Sequence, residues 1–381
     1  VLGTSGGGVG RHVRALADGL TGAGAQVRVA GPDATRTAFG FTGFEAVETS
    51  DRPRPAADLR AVRRLRGLAR SADVVHAHGL RAGALAVLAR AGLRGDQRPG
   101  LVVTLHNARV SGGRVAAVHA VLERLVARGA DAVLVVSGDL GERMRALRAS
   151  RVTRALVPAP VAATGLAGAP VDRRTVRAGL RVPDGTMLLL TVARLAPQKG
   201  LGLLLDAVAA LQATAGVPPV LAVVAGDGPL EHELRAAAGA RGLPVRLLGR
   251  REDVPALLAA ADVVVVPSVW EGQPLVVQEA LRAGAVVVAT DVGGTGEVAG
   301  DAALLVPGGD PAALASALAR AVTEPQTATD LRARALARAA ELPSDADAVA
   351  QVSAVYAAVG RADRRRAGRS DARSGGAGPP R

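Results

Sequence analysis

The sequence contains no cysteine. Disulfides, thiolate metal centres and cysteine nucleophiles are thereby excluded, and the redox compartment is left open. Only five of the 381 residues are aromatic. Proteins that grip single-stranded nucleic acid stack bases on such rings, so no nucleic-acid partner is expected. Long apolar runs are missing too. The longest, such as "ADVVVVPSV" and "AVVVAT", fall far short of the ~20 residues that a membrane helix needs. The opening "VLGTSGGGVG" has neither the basic start nor the apolar centre of a secretory leader. A cytoplasmic protein, or one peripheral on the inner face of the plasma membrane, is expected. Lysine is nearly absent: Lys199 is the only one among 47 basic residues. The single Trp270 and the single Asn107 share its setting, the exit of a strand into a loop.

What is present is Ala, Val, Leu, Gly and Arg. Half the residues are apolar, enough for sizeable cores, and the length suits two domains. The net charge is +13, of which residues 361–381 carry +5. The remaining excess favours an anionic partner such as phosphate or a lipid headgroup. Short apolar runs alternate with amphipathic stretches. The runs at 26–31, 73–79, 101–106 and 132–137 read as buried parallel strands. After a Pro/Gly/Ala-rich break at 157–170 the alternation restarts, with strands at 187–193, 220–226, 245–249, 262–268, 286–290 and 303–308. This predicts an α/β fold of two Rossmann-like, doubly wound domains facing a cleft. The expected division is 1–160, 171–343, a C-terminal helix at 344–360 and a disordered basic tail at 361–381. Ser344 is the expected N-cap of that helix, with Asp345 and Asp347 in its first turn. The first strand has only "VLGTS" before a glycine turn, which is short for a central strand.

Three stretches could carry chemistry. In "GTSGGGVGRHV" glycines precede a helix, a setting that can hold phosphate, although the G-x-G-x-x-G pattern is not met. In "TVARLAPQKG" Arg194 leaves a strand and Lys199 precedes a helix. Two cations at the carboxyl end of a parallel strand would neutralise a diphosphate. In "PSVWEGQPLVVQEALRAG" a helix opens near Pro274, an allowed first-turn position. Glu271 and Glu279 flank that opening, roughly 10 Å or more apart on helical geometry. That is wide for two acids sharing one bond and suits two separate hydroxyl-bearing parts of one ligand; the spacing fits equally a helix-surface Glu279 and a Glu271 that partners the helix N-terminus. The turns "GDGP" (226–229) and "GTGE" (294–297) lie at further strand ends. His76 and His78 point to one face of their strand, but no cysteine or nearby carboxylate completes a metal site, and hydrogen bonding is their expected role. The basic stretch 58–70 could lie on an anionic membrane, but a packed helix with a solvated arginine face is the simpler expectation.

Taken together, these stretches resemble the family 4 (group 1) retaining glycosyltransferases, which have the GT-B fold. The similarity runs over about residues 1–345, and the Glu271–x7–Glu279 element with Arg194 and Lys199 upstream is its most specific part. The resemblance implies transfer of a sugar from a nucleotide-diphospho-sugar to an acceptor hydroxyl with retention at the anomeric carbon. It places Arg194 and Lys199 on the donor diphosphate and Glu271 beside the donor sugar. The helix start at Gly272, Pro274 and Leu275 would help hold sugar or phosphate, and Glu279 would hold the ribose. Gly7 and Gly8 would approach the diphosphate and the acceptor. His106 would lie near the transferred sugar, and Arg250, in the "GRRED" loop, near the base. No metal and no cofactor beyond the nucleotide sugar is implied. A lipid-linked or membrane-associated acceptor is one expectation. The alternatives are a sugar-nucleotide epimerase of the same fold, or a nucleotide-sugar binder impaired by its short first strand. "VPAPVAAT" stands where relatives often read Pro-Asn-Gly-Val-Asp, which would remove an interdomain contact.

Overall fold

Strands that are apolar on both faces must be covered on both sides, and the Val/Leu-rich runs of this chain are covered in that way. The computed structural model describes residues 1–3, 7–49, 54–108, 113–160 and 172–360. It divides into unit 1, Val1–Pro158 together with the chain from Pro343 onward, and unit 2, Ala159–Leu342. The helix Asp345–Val359, set apart in the sequence reading, is thus part of unit 1. The tail expected at 361–381 lies outside the described residues.

Unit 1 contains β1 (Val29–Gly31), β2 (Phe44–Ala46), β3 (Val74–His78), β4 (Gly100–Leu105), β5 (Ala132–Val135) and β6 (Val152–Arg154). β3 to β6 form a parallel sheet in sequence order, and β1 pairs with β2. Leu2 stitches the two sheets together. Its N–H donates to the Ala30 carbonyl at 2.8 Å, while the His78 N–H donates to the Val1 carbonyl at 2.9 Å. Among the described residues the expected short first strand shows one bridge, Leu2 to His78. Alongside it, between β1, β3 and the C-terminal helix, lies a cavity of about 790 Å³ lined by Val13, Leu16, Leu65, Val74 and Tyr356 among others. β1 is shorter than the run 26–31 suggested. β2 and β6, three residues each, have no apolar run and were not expected. The C-terminal helix is capped as predicted, with Ser344 and Asp347 forming a reciprocal capping box. Its Gln351 side chain accepts from the Leu156 N–H and donates to the Arg154 carbonyl, at 3.0 and 2.9 Å. The basic helix Pro55–Ala69 buries Ala61, Leu65 and Ala69. Its Arg66 caps carbonyls at the end of the next helix, those of Leu88, Ala89 and Ala91. This is the packed helix that the simpler reading expected.

Unit 2 contains β7 (Met187–Val192), β8 (Val220–Ala225), β9 (Val245–Gly249), β10 (Val263–Val266), β11 (Val286–Thr290) and β12 (Ala303–Val306). They form one parallel sheet in the order β12-β11-β10-β7-β8-β9. Alternate residues feed two cores. Leu189, Val263, Val265, Val286 and Val288 meet the helices Leu201–Gln212 and Pro311–Thr323 on one face. Leu188, Leu190, Val264, Val287 and Ala289 meet Val254–Ala260 and Leu275–Arg282 on the other. Each fully buried Leu or Val side chain contributes about 1.5–3 kcal/mol relative to exposure, so this sheet is a rigid platform. The chain runs outward from β7 to β9 and then returns to the opposite side of β7 as β10. Neighbouring strands whose helices leave in opposite directions open a crevice at their carboxyl ends. In unit 2 that point is the end of β7 and β10, the exits that carry Arg194, Lys199 and Glu271.

Candidate active site

Past β7 the chain makes a short 3₁₀ turn, Pro197–Lys199, and enters a helix through Gly200. Gly200 has φ +60°, and a Cβ there would lie 1.9 Å from the Pro267 carbonyl oxygen. Only glycine lets this turn press against the exit of β10. The contact is then tied by two hydrogen bonds: Val269 N–H to the Gln198 carbonyl at 2.8 Å, and Gln198 Nε2 to the Trp270 carbonyl at 3.0 Å. From this frame Lys199 Nζ reaches Glu271 Oε1 at 2.6 Å. Ser268 Oγ donates to the same oxygen, also at 2.6 Å. The carbonyl of Glu271 accepts the Gly294 N–H at 2.9 Å. A third turn thus joins the cluster through Gly293, whose φ is +57° and whose Cβ would sit 1.9 Å from the Glu271 carbonyl oxygen.

The Glu271 side chain is 8% exposed and that of Lys199 26%. A carboxylate so buried needs a partner, and Lys199 supplies one. The lone ammonium of the chain, singled out from composition, is therefore half of an ion pair at the switch point. Glu271 lies just ahead of the helix Leu275–Arg282. Pro274 is the N-cap of that helix, with extended backbone (φ −65°, ψ 111°), and Leu275 is its first residue. This moves the expected start by one position. Gly272 and Pro274 are buried, and the unpaired amides of the first turn lie beside Glu271 in sequence and favour negative charge. Glu279 is half-buried one turn further along. Its neighbours fix the segment entering unit 2. Gln278 Oε1 accepts the Ala159 N–H at 2.8 Å, and Arg282 Nη1 donates to the Ala159 carbonyl at 2.9 Å. Ala159 is thus fastened to the helix Leu275–Arg282 through both its amide and its carbonyl, while residues 161–164 of "VPAPVAAT" lie outside the described residues.

Arg194 is exposed at the end of β7. The "GDGP" turn does more than reverse the chain there. A Cβ at Gly226 would lie 1.9 Å from the Ala193 carbonyl oxygen, and one at Gly228 would lie 2.5 Å from that of Leu195. These glycines let the turn lie flat against the backbone that presents Arg194. Arg250 is exposed just after β9, and its neighbour Arg251 is paired with Asp253.

Unit 1 holds the other expected site residues. Gly7 is the N-cap of the helix Gly8–Gly22, and nothing lies within 4 Å of where its Cβ would be. His106, just past β4, is buried in a cluster of four imidazoles. His106 Nε2 and His78 Nδ1 are 3.1 Å apart, a hydrogen bond whose donor depends on the tautomers of the two rings. His76 bonds the Tyr356 hydroxyl at 2.6 Å and the Thr104 hydroxyl at 2.7 Å. The rings of His76 and His78 lie 4.1 Å apart, as two side chains on one strand face should, and His12 packs against His78 and His106. Burial pushes His12 down to about 4; burial, with repulsion from His12, pushes His106 down to about 3. His76 and His78 are lowered for the same reasons, burial first, with repulsion from the neighbouring imidazoles adding to it. His106 is therefore a neutral donor or acceptor at physiological pH.

A pH dependence follows. A base whose folded pKa lies below its unfolded value binds fewer protons when folded. Its stability contribution is complete above about pH 7.5 and drains away as pH falls from about 6.5 towards the folded value. Each such imidazole adds about 1.4 kcal/mol per pH unit to that slope. Denaturation of unit 1, followed through Tyr356, is expected to become steeply easier between pH 7 and pH 5. His12→Gln should flatten the slope by about one proton. A midpoint that stays constant over that range in the wild type would contradict the neutral cluster.

Sequence reasoning did not pick out Ser268, Gln198, Gly293 or His12 as site residues, whereas the hydrogen-bonding role expected of His76 and His78 is what the structure shows. The signal for Ser268 and Gly293 was present: a hydroxyl one proline beyond a buried valine run, and a double glycine ahead of "TGE".

Residues 172–338 match the family described as glycosyl transferases group 1, and residues 7–160 match the glycosyl transferase 4-like domain. The chain is 31% identical to phosphatidyl-myo-inositol mannosyltransferase of Mycobacterium leprae over 82% of its own length and 83% of that protein. It is 32% identical to alpha-D-kanosaminyltransferase of Streptomyces kanamyceticus over 58% of each. Several curated relatives are matched over only 36–58% of their own length. Among solved structures, Anabaena HepE in complex with UDP-glucose superposes with a TM-score of 0.77 at 23% identity, over 94% of this chain and 99% of that one. That likeness shows a shared fold.

Proposed function

The chain belongs to the group 1 glycosyl transferases, and we propose that it moves a sugar from a nucleotide-diphospho-sugar to an acceptor hydroxyl with retention of anomeric configuration. The observation that carries this reading is the Lys199–Glu271 pair, 2.6 Å apart at the switch point of unit 2. A departing nucleoside diphosphate needs fixed positive charge, and Lys199 with the exposed Arg194 supplies it. Glu271 and the helix start at Gly272, Pro274 and Leu275 take the donor sugar, and Glu279 takes the ribose. Arg250 borders the base. Gly7, Gly8 and the neutral His106 serve the acceptor side from unit 1. The donor set is cationic and amide-rich rather than metal-ligating, which supports a reaction that needs no metal. Anabaena HepE was solved with UDP-glucose, which supports a nucleotide-sugar donor here.

For the acceptor, a lipid-linked or membrane-associated hydroxyl compound is proposed. The support is the name of the Mycobacterium leprae relative and the arginine-rich outer face of the helix Pro55–Ala69. Among the described residues no helix is long and apolar enough to cross a membrane; the contact proposed for the helix Pro55–Ala69 rests on charge.

A thermal-shift panel of UDP-, GDP- and ADP-sugars tests the reading. One base is expected to raise the melting temperature, because binding to the folded state adds about 2.7 kcal/mol at a hundredfold excess over Kd. Incubating that donor without acceptor should give slow hydrolysis and an unaltered sugar. Conversion to an epimeric nucleotide sugar would select the epimerase reading instead. Binding with no turnover on any acceptor would select the impaired binder.

A further inference from the structure

We propose that Ser268 is a positioning residue for Glu271, and that its hydroxyl is what holds this carboxylate when a donor diphosphate draws Lys199 away. The proposal rests on the placement of the donor given above.

Two donors converge on one oxygen. Lys199 Nζ and Ser268 Oγ each lie 2.6 Å from Glu271 Oε1, so neither bond uses Oε2. The two donors differ in kind. An ammonium on a flexible stem carries three protons and can turn to a new acceptor. A serine hydroxyl carries one, and here it closes a three-residue loop onto its own turn, which keeps it on Glu271. Ser268 is itself fixed. It is 2% exposed, it follows the buried end of β10, and its carbonyl accepts the Thr290 hydroxyl from the end of β11 at 2.6 Å. Thr290 is fully buried, so the hydroxyl of Ser268 is referenced to two central strands of the sheet.

A diphosphate carries more negative charge than one carboxylate. On its arrival the ammonium of Lys199 moves from a one-to-one pair towards the stronger anion, and Glu271, still buried, loses its cation. A buried carboxylate left with no donor swings or takes up a proton. With the Ser268 hydroxyl in place, Oε1 keeps a charge-assisted hydrogen bond and the carboxylate keeps its direction. Its contribution is therefore small in the unliganded protein, where Lys199 is also bonded, and large in the donor complex.

This predicts a split that an ordinary buried serine would not give. Ser268→Ala and Ser268→Thr are compared with wild type using whichever of UDP, GDP or ADP the wild type binds, and the matching sugar nucleotide. In Ser268→Ala the melting temperature and the nucleoside diphosphate Kd should stay close to wild type, the latter within about threefold. kcat for sugar-nucleotide hydrolysis should fall about 10- to 100-fold with little change in KM, the pattern of lost orientation. Ser268→Thr, which keeps the hydroxyl, should recover most of that loss. Wild-type kcat in Ser268→Ala would overturn the proposal. So would a parallel loss of Kd, KM and melting temperature, which would make Ser268 a packing residue only. Failure of the wild type to bind any nucleoside diphosphate is a separate result and counts against the donor site itself.

Discussion

Lys199→Ala is expected to abolish the donor-induced thermal shift and to lower sugar-nucleotide turnover by about 10²–10³-fold, the range seen when one fixed donor to a developing oxyanion is removed. Two losses act together. The diphosphate loses the one ammonium at the end of β7. Glu271, whose side chain is 8% exposed, is left as a buried acid without its cation. Breaking a fully buried pair from one side costs ~3–5 kcal/mol, and with Lys199 a quarter exposed about 2 kcal/mol is expected. Lys199→Arg should not rescue in full, because a planar fork cannot occupy the place of a compact ammonium beside the Ser268 hydroxyl. Glu279→Ala is expected to abolish the shift through the ribose while leaving the Lys199–Glu271 pair intact. An undiminished thermal shift in both Lys199→Ala and Glu279→Ala would show that the donor binds elsewhere.

Gly293→Ala is expected to be about as damaging, although residue 293 carries no functional group. Its backbone has φ +57°, which costs a residue with a Cβ about 1–2 kcal/mol. That much is shared with Gly309, at φ +77° with nothing within 4 Å, so Gly309→Ala serves as the control. At Gly293 the new Cβ would also meet the Glu271 carbonyl oxygen at 1.9 Å and Trp270 Nε1 at 2.8 Å. The two turns must separate, which breaks the Gly294 to Glu271 hydrogen bond and moves the carboxylate. Misplacing a reacting group by about 1 Å can cost 10²-fold in rate. Gly293→Ala should therefore lose about 100-fold in hydrolysis and shift the emission of Trp270, while Gly309→Ala changes neither. Equal behaviour of the two variants would mean that the contact between the turns does not set the position of Glu271.

The sheet of unit 2 was legible because its strands are continuous Val/Leu runs bounded by glycine and proline, and burial on both faces leaves no other use for such runs. The pairing of Lys199 with Glu271 was half legible. Composition marked the lysine and the strand-end position marked both residues. Their contact depends on Gly200 and Gly293, whose role is to be absent as side chains, and such a role leaves no trace in hydrophobic pattern. Unit 1 was harder to read. β2 and β6 are three residues each and hold their place through neighbours rather than through their own apolar content. The histidine cluster brings together residues 12, 76, 78 and 106 with Tyr356. The last of these arrives from the C-terminal helix, and nothing in local spacing links residue 356 to residue 76.

The state of Arg194 sets an order of events. Lys199 is neutralised in the unliganded protein, whereas Arg194 is exposed and takes part in no ion pair among the described residues. An approaching polyanion is first met by the guanidinium, over distances of the order of the ~8 Å screening length at physiological ionic strength. On the donor placement proposed above, capture is the task of Arg194 and commitment that of Lys199, so salt should slow arrival more than it loosens the bound complex.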